Sequence, residues 1–333
     1  VIDVLGRLRD HSEISTSTYQ SDAASMRAAL AALAQLRGTP ARELGAVIGN
    51  LRAMASSGTL TPGRLRVLFM TLDRNRQWWT SQPVPANNQI VNFAGSELDW
   101  EYYPGQGLEL QELANFFKAD WLFTHGSAHN NYQRGAALLS ELIPLATRRA
   151  GGVSWEYFFN FDGGSPPWIS AMSQGTGLEA LTDAYQATGN GTYLSIAAQA
   201  LPVLRTAPGR GVAVRTRRGI RFVQYSFDPS RHDQILNAFL QTLIGLHAYA
   251  QASGDSVAWH LFYAGDKEAR HEVPFFDTGK WSLYQPGVAD SLSYHELVTG
   301  FLQQLCSIVH APVYCTTAAH FQRYTNHPPP GVS

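Results

Sequence analysis

From residue 107 onward, apolar side chains recur at helical spacing in blocks separated by Gly, Pro, Asn or Asp, the pattern of amphipathic helices and the residues that end them. Eight such blocks are expected, at roughly 108–124, 128–149, 167–188, 191–206, 232–253, 255–269, 293–309 and 312–325. Short turns such as Thr188, Gly189, Asn190, Gly191 and Ser253, Gly254, Asp255 join the members of a pair, whereas longer aromatic-rich segments join one pair to the next. That rhythm predicts a mainly α chain. Its fold class is an (α/α) barrel, or toroid, of about four helical hairpins, with the inter-pair loops gathered on one rim.

Three loop segments switch to the period of a strand. GVAVRTRRGIRFVQYS alternates around Arg218 and Gly219, HEVPFFDTGKWSLYQ turns at Asp277, Thr278 and Gly279, and NFAGSELDWEYYPGQG precedes the first barrel helix. Ahead of them, helices are expected around 20–37, 41–56 and 65–79, with 83–88 as a linker. Residues 1–95 thus read as a helical extension packed on the barrel, and 96–327 as the toroid itself.

Composition narrows the classes of function. The 333 residues are 44% hydrophobic and 15% charged, which suits a compact globule. The formal charge of -1 argues against a nucleic-acid binder, and no apolar run is long enough for a membrane-spanning segment. The chain opens at Val1 without a leader, so a processed secreted or cell-envelope protein is one expectation. Cys306 and Cys315, nine apart on successive predicted helices, fit either a bridge across that hairpin or two buried thiols. A homodimer is also open.

FFNFDGGSPPWISAMSQG places aromatics, a Gly pair and two prolines at a junction. Proline is tolerated at a first helical position and Ser165 is a good cap, so SPPW is expected to open a helix. Trp168 would then stand with Phe158, Phe159 and Phe161 at the barrel mouth, beside a Gly163 and Gly164 turn, where flat faces suit sugar rings. The plainer reading is a helix staple on core aromatics.

The strings SPPWISAMSQG, ILNAFLQTLIGLHAYA, FDTGKWSLYQ and SYHELVTGFLQQL, in that order, resemble the C-terminal domain of the glucuronyl C5-epimerase family over about residues 150–327. EYYPGQGLEL is similar to bacterial members; the β-rich N-terminal region of vertebrate members has no visible counterpart. The resemblance implies inversion of C5 in glucuronate residues of a heparosan-type acidic polysaccharide, without a cofactor. It implies catalytic tyrosines at Tyr225 in FVQYSF, Tyr284 in WSLYQ and Tyr294 in SYHEL. Trp168, Gln174, Arg221, Asn237, Lys280, His295 and Tyr103 are the candidates for binding substrate.

The chemistry asks for such a set. Removing the proton alpha to a carboxylate builds an enediolate, and inversion requires one group to take the proton and another to return it from the opposite face. A phenol of unperturbed pKa about 10 serves as a base only near positive charge. From Ala184 through Phe227 there is no Asp or Glu, yet Arg205, Arg210, Arg215, Arg217, Arg218 and Arg221 fall inside. If GIRFVQYS is a strand, Arg221 and Tyr225 share a face, and in GKWSLY so do Lys280 and Tyr284. Ser293 and Glu296 are read as a capping box that places Tyr294 in a first helical turn. His295 is a candidate to bind substrate or tune the tyrosine. The alternative is a solvated arginine face over core tyrosines.

Two departures from the family pattern stand out. In animal members an arginine follows the middle tyrosine, as in YDLRH, whereas YQPGV follows here; an acidic residue precedes the first tyrosine there, and Gln224 does here. The carboxylate clamp must differ, with Arg221 or Lys280 as substitutes. Rival readings are a polysaccharide lyase, an (α/α) glycosidase using Asp162, Asp99, Glu101 or Asp228, and an inactive sugar-binding toroid. His125 and His129 would form a metal pair only with a third ligand, which no spacing suggests.

Overall fold

A computed structural model describes residues 1–126, 130–227 and 234–331. His129 and Asp228 lie outside the described residues. In chain order the elements are α1 (Ile2–Asp10), α2 (Thr16–Gln35), α3 (Gly38–Ser56), α4 (Leu65–Trp79), β1 (Ile90–Asn92), β2 (Asp99–Tyr103), β3 (Gly107–Leu110), α5 (Glu112–Thr124) and α6 (Asn131–Leu142). They continue through β4 (Thr147–Arg149), β5 (Gly152–Ser154), α7 (Ala171–Thr188), α8 (Thr192–Leu204), β6 (Ala213–Arg215), β7 (Ile220–Phe222), α9 (Leu236–Ser253) and α10 (Ser256–Glu272). β8 (Leu283–Gln285), β9 (Val288–Ala289), α11 (Leu292–Val309) and α12 (Pro312–Tyr324) complete the chain. The mainly α, helical-hairpin fold expected from the periodicity is what these elements form.

The chain divides into two compact units. The first comprises 1–115, 137–147 and 155–168. Its helices α2, α3 and α4 pack on one another, and β1, β2 and β3 form an antiparallel meander with Trp100 opposite Leu110. Glu43, fully buried on α3, accepts hydrogen bonds from the Tyr102 hydroxyl and from the amides of Gly105 and Gly107. One carboxylate therefore fixes the β2–β3 turn. Gly107 has a φ of +91°, and a Cβ there would strike Asn75 and Val47, so the turn requires glycine.

The second unit comprises 116–136, 148–154 and 169–333. Hairpins α7–α8, α9–α10 and α11–α12 each pack internally, while α9 packs on both α7 and α11. Helices α7, α9 and α11 thus form an inner layer. Thr242 donates to the Ala171 carbonyl, and a Cβ on Gly245 would strike the Gly175 carbonyl, so α7 and α9 run parallel with their backbones in contact. Gly189 and Gly254, both in the left-handed region, end α7 and α9 where the sequence places the intra-pair turns. Cys306 and Cys315 are joined in a disulfide across the α11–α12 hairpin, which decides between the two readings of that pair.

Two local expectations fail. The helix after SPPW begins at Ala171, five residues beyond Pro166: Trp168 pairs with Tyr157 through two backbone hydrogen bonds, and Ser170 takes the cap. Strand β7 ends at Phe222, so the alternation that was to place Arg221 and Tyr225 on one face does not reach Tyr225.

Candidate functional site

The inner helices of the second unit share one end, and the chain gathers its candidate chemistry there. Arg221 marks it, because the guanidinium pairs with Glu272, the last residue of α10, and donates to the carbonyl of Ile235, which precedes α9. The guanidinium is 5.1 Å from the Phe239 ring centroid and the residue is buried. Its charge is tied to Glu272, which departs from its expected use as a clamp for substrate carboxylate.

Tyr225 arrives at the same end. It forms a backbone bridge with Ser170, flanked by hydrogen bonds from the Ala171 amide to the Gln224 carbonyl and from the Ser226 amide to the Ile169 carbonyl. Its ring is half-buried and lies flat on Phe227, with centroids 5.1 Å apart.

Tyr284 on β8 and Tyr294 on α11 come into ring contact, with centroids 5.1 Å apart and planes inclined by 54°. Tyr294 is 42% exposed. The cap of α11 is Ser291 and not Ser293: its hydroxyl accepts from the Tyr294 amide. The tyrosine still falls in the first turn, as expected. Lys280 sits in an exposed turn held by Asp277 and Thr278 rather than on a strand with Tyr284.

Behind this pair runs a buried chain of polar groups. Ser282 Oγ is 2.5 Å from Asp290 Oδ2 and 2.7 Å from His295 Nδ1, and His295 Nε2 is 2.9 Å from the Phe321 carbonyl oxygen. Trp281 stacks on the imidazole at 3.7 Å. Three hydrogen bonds in series need three protons. The carbonyl can only accept, so Nε2 carries one; the serine supplies a second. With Asp290 ionised, Ser282 donates to it and Nδ1 must also be protonated; with Asp290 protonated, both bonds reverse. Burial pushes the Asp290 carboxyl up to about 6, against the hydrogen bond from Ser282, and burial lowers His295. Both directions favour the uncharged arrangement. His295 is fully buried, so it serves as an internal strut beneath Tyr294 rather than a surface contact.

Gln174 and Asn237 are buried near the starts of α7 and α9, and the Asn237 side-chain oxygen accepts from the Ala238 amide. Deeper in the same layer, Glu179 on α7 accepts from Gln241 on α9 and Gln304 on α11. Asp120 on α5 is hydrogen-bonded to Asp183 on α7. Burial first, and then this hydrogen bond and the neighbouring charge, push Asp120 up to about 8. Burial and the charge of Asp120 raise Glu179 to about 7. Among the described residues no group of three or more such side chains could hold a metal ion.

In the first unit, Trp168 and Tyr103 belong to one aromatic wall. Trp168 stacks on Tyr157 at 4.3 Å and on Phe161 at 5.7 Å, and Tyr103 lies 4.6 Å from Phe159. The Trp168 indole donates to the Phe159 carbonyl, while Tyr103 donates to Glu101 and accepts from Gln111. Sequence reasoning found these aromatics but not Ser282, Asp290, Glu179 or Asp120. For Asp120 and Glu179 the available signal was an acidic residue within an apolar helical block; Ser282 and Asp290 had none.

Comparison with known proteins places the chain in a family. The chain matches the family described as D-glucuronyl C5-epimerase C-terminus over residues 150–323. An uncharacterized protein of Methanocaldococcus jannaschii is 26% identical over 170 residues, 47% of this chain and 55% of that protein. The D-glucuronyl C5-epimerase of Caenorhabditis elegans is 29% identical over 180 residues, 48% of this chain and 29% of that protein. The matched region is thus little more than half of the first relative and less than a third of the second. Looser similarity extends to the structure of a cellobiose 2-epimerase from Bacillus thermoamylovorans, 14% identical with a TM-score of 0.48 over 65% of this chain and 60% of that one. On the family match, which covers more than half its length and includes all three tyrosines, the chain belongs to the D-glucuronyl C5-epimerase C-terminal family.

Proposed function

We propose that the protein inverts C5 of uronate residues in an acidic polysaccharide, converting D-glucuronate to L-iduronate, with Tyr225, Tyr284 and Tyr294 as its acid and base groups. The observation that carries this reading is the ring contact between Tyr284 and Tyr294 at the end of the helix layer where Tyr225 also lies. One phenolate takes the C5 proton, the electron pair spreads onto the substrate's own carboxylate oxygens as an enediolate, and a phenol on the opposite face returns a proton to C5. Net inversion consumes no co-reactant. Lys280, exposed four residues before Tyr284, is the cation available to the substrate carboxylate in place of the arginine that animal members carry.

The test is incubation with heparosan in deuterated water. Deuterium at C5 together with iduronate supports the reading. Chain shortening with an unsaturated uronate would assign the same proton abstraction to elimination, and turnover retained in Tyr225→Phe and Tyr294→Phe would move the chemistry to carboxylates.

A further inference from the structure

The hairpin β6–β7 and helices α8 and α10 enclose a cavity of about 740 Å³ that none of the three tyrosines lines. Arg205, the cap residue of α8, and Arg215, the last residue of β6, enter it with His260 and Ser256 of α10. Its walls are aliphatic, from Val214, Ile220, Val257 and Leu261, and no Asp or Glu lines it. A cavity whose charged groups are all cationic selects an anion, and its apolar walls favour one attached to a carbon skeleton.

A second cavity adjoins the same hairpin. Smaller, at about 260 Å³, it is lined by Arg215, Arg217 and Arg218. Its two acids are already engaged, Glu268 by the Thr216 hydroxyl and Glu272 by Arg221. The smaller cavity thus sets four arginines, Arg221 included, against two carboxylates, and the exposed Arg215 lines both cavities, in a chain whose formal charge is -1. Such a track fits an extended polyanion better than a single small ion. Apart from His260 neither cavity offers an aromatic ring, whereas binding of single-stranded nucleic acid relies on aromatic stacking platforms. Aliphatic walls beside spaced guanidinium groups suit the C–H faces and carboxylates of a uronate chain.

We propose that the β6–β7 hairpin is an anchoring site for a uronate-bearing polysaccharide, holding the chain through cavities that none of the three tyrosines lines. The assignment of ligand rests on the function proposed above, and the experiment separates the two. Direct binding of fluorescent heparosan needs no turnover, and is measured for the wild type, for Arg205→Ala/Arg215→Ala, for the charge-keeping Arg205→Lys/Arg215→Lys, and for Tyr294→Phe. The alanine pair is expected to weaken polymer binding about tenfold, with a shallower salt dependence, while the lysine pair and Tyr294→Phe stay close to wild type. Where turnover is observed, KM for polymer rises in the alanine pair with kcat unchanged, and a tetrasaccharide is processed as by wild type.

Unchanged polymer binding in the alanine pair, checked for folding by its melting temperature, overturns the anchor and leaves the proposed reaction standing. Equal competition by single-stranded DNA of matched charge also overturns it, because the track would then read charge alone. Hairpin-dependent binding without C5 exchange upholds the anchor and removes the reaction.

Discussion

Ser282 hydrogen-bonds His295 at 2.7 Å, joining the strand that carries Tyr284 to the helical turn that carries Tyr294. The two tyrosines are thereby fixed by a bond that neither makes. Ser282→Ala leaves both Nδ1 and the Asp290 carboxyl without their shared partner, and is expected to cost about 1–3 kcal/mol of stability. Its effect on turnover should fall on kcat, with little change in KM. Urea unfolding and steady-state kinetics measure the two separately.

Replacing the tyrosines tests the proposed chemistry at its centre. Phe at 225, 284 or 294 keeps each ring and removes only the hydroxyl. Loss of a general acid or base is expected to lower turnover by about 10²–10⁴-fold for the groups that exchange protons with C5. Melting temperatures close to wild type show that the ring packing survives.

Asp120 and Glu179 set a pH dependence of stability. Both carboxyls are raised in the folded chain, Asp120 to about 8 and Glu179 to about 7. A raised carboxyl binds protons more tightly when folded, so its stabilising contribution is full below the unfolded value and is lost as pH climbs through the folded one. The melting temperature should therefore fall from about pH 4 to about pH 8 and level off above that. Asp120→Asn, which can still donate to Asp183, is expected to flatten that fall.

The Cys306–Cys315 bridge closes a short loop between α11 and α12. Reduction, or Cys315→Ser, is expected to lower stability by about 2–3 kcal/mol, read as a shift in thermal midpoint with and without reductant.

Much of this fold was legible in the sequence, because apolar periodicity and glycine stops act locally. The expected block at 293–309 is α11, and the turns at Gly189 and Gly254 end α7 and α9. Where reading failed, a tertiary contact outweighed a local rule. SPPW has every mark of a helix start, but Trp168 pairs with Tyr157 and leaves the cap to Ser170. Arg221 was read as a partner of Tyr225 from strand alternation, yet the strand stops at Phe222 and the charge goes to Glu272. The chain from Asp290 through Ser282 to His295 had no sequence signature, since its members meet only when the 277–285 loop folds onto α11.

The measurement closest to the central claim is solvent exchange at C5 of a uronate polymer, followed by nuclear magnetic resonance in deuterated water. Label at C5 with iduronate is expected in wild type, and neither in Tyr294→Phe. Equal label in both, or none from wild type on any uronan, contradicts that claim.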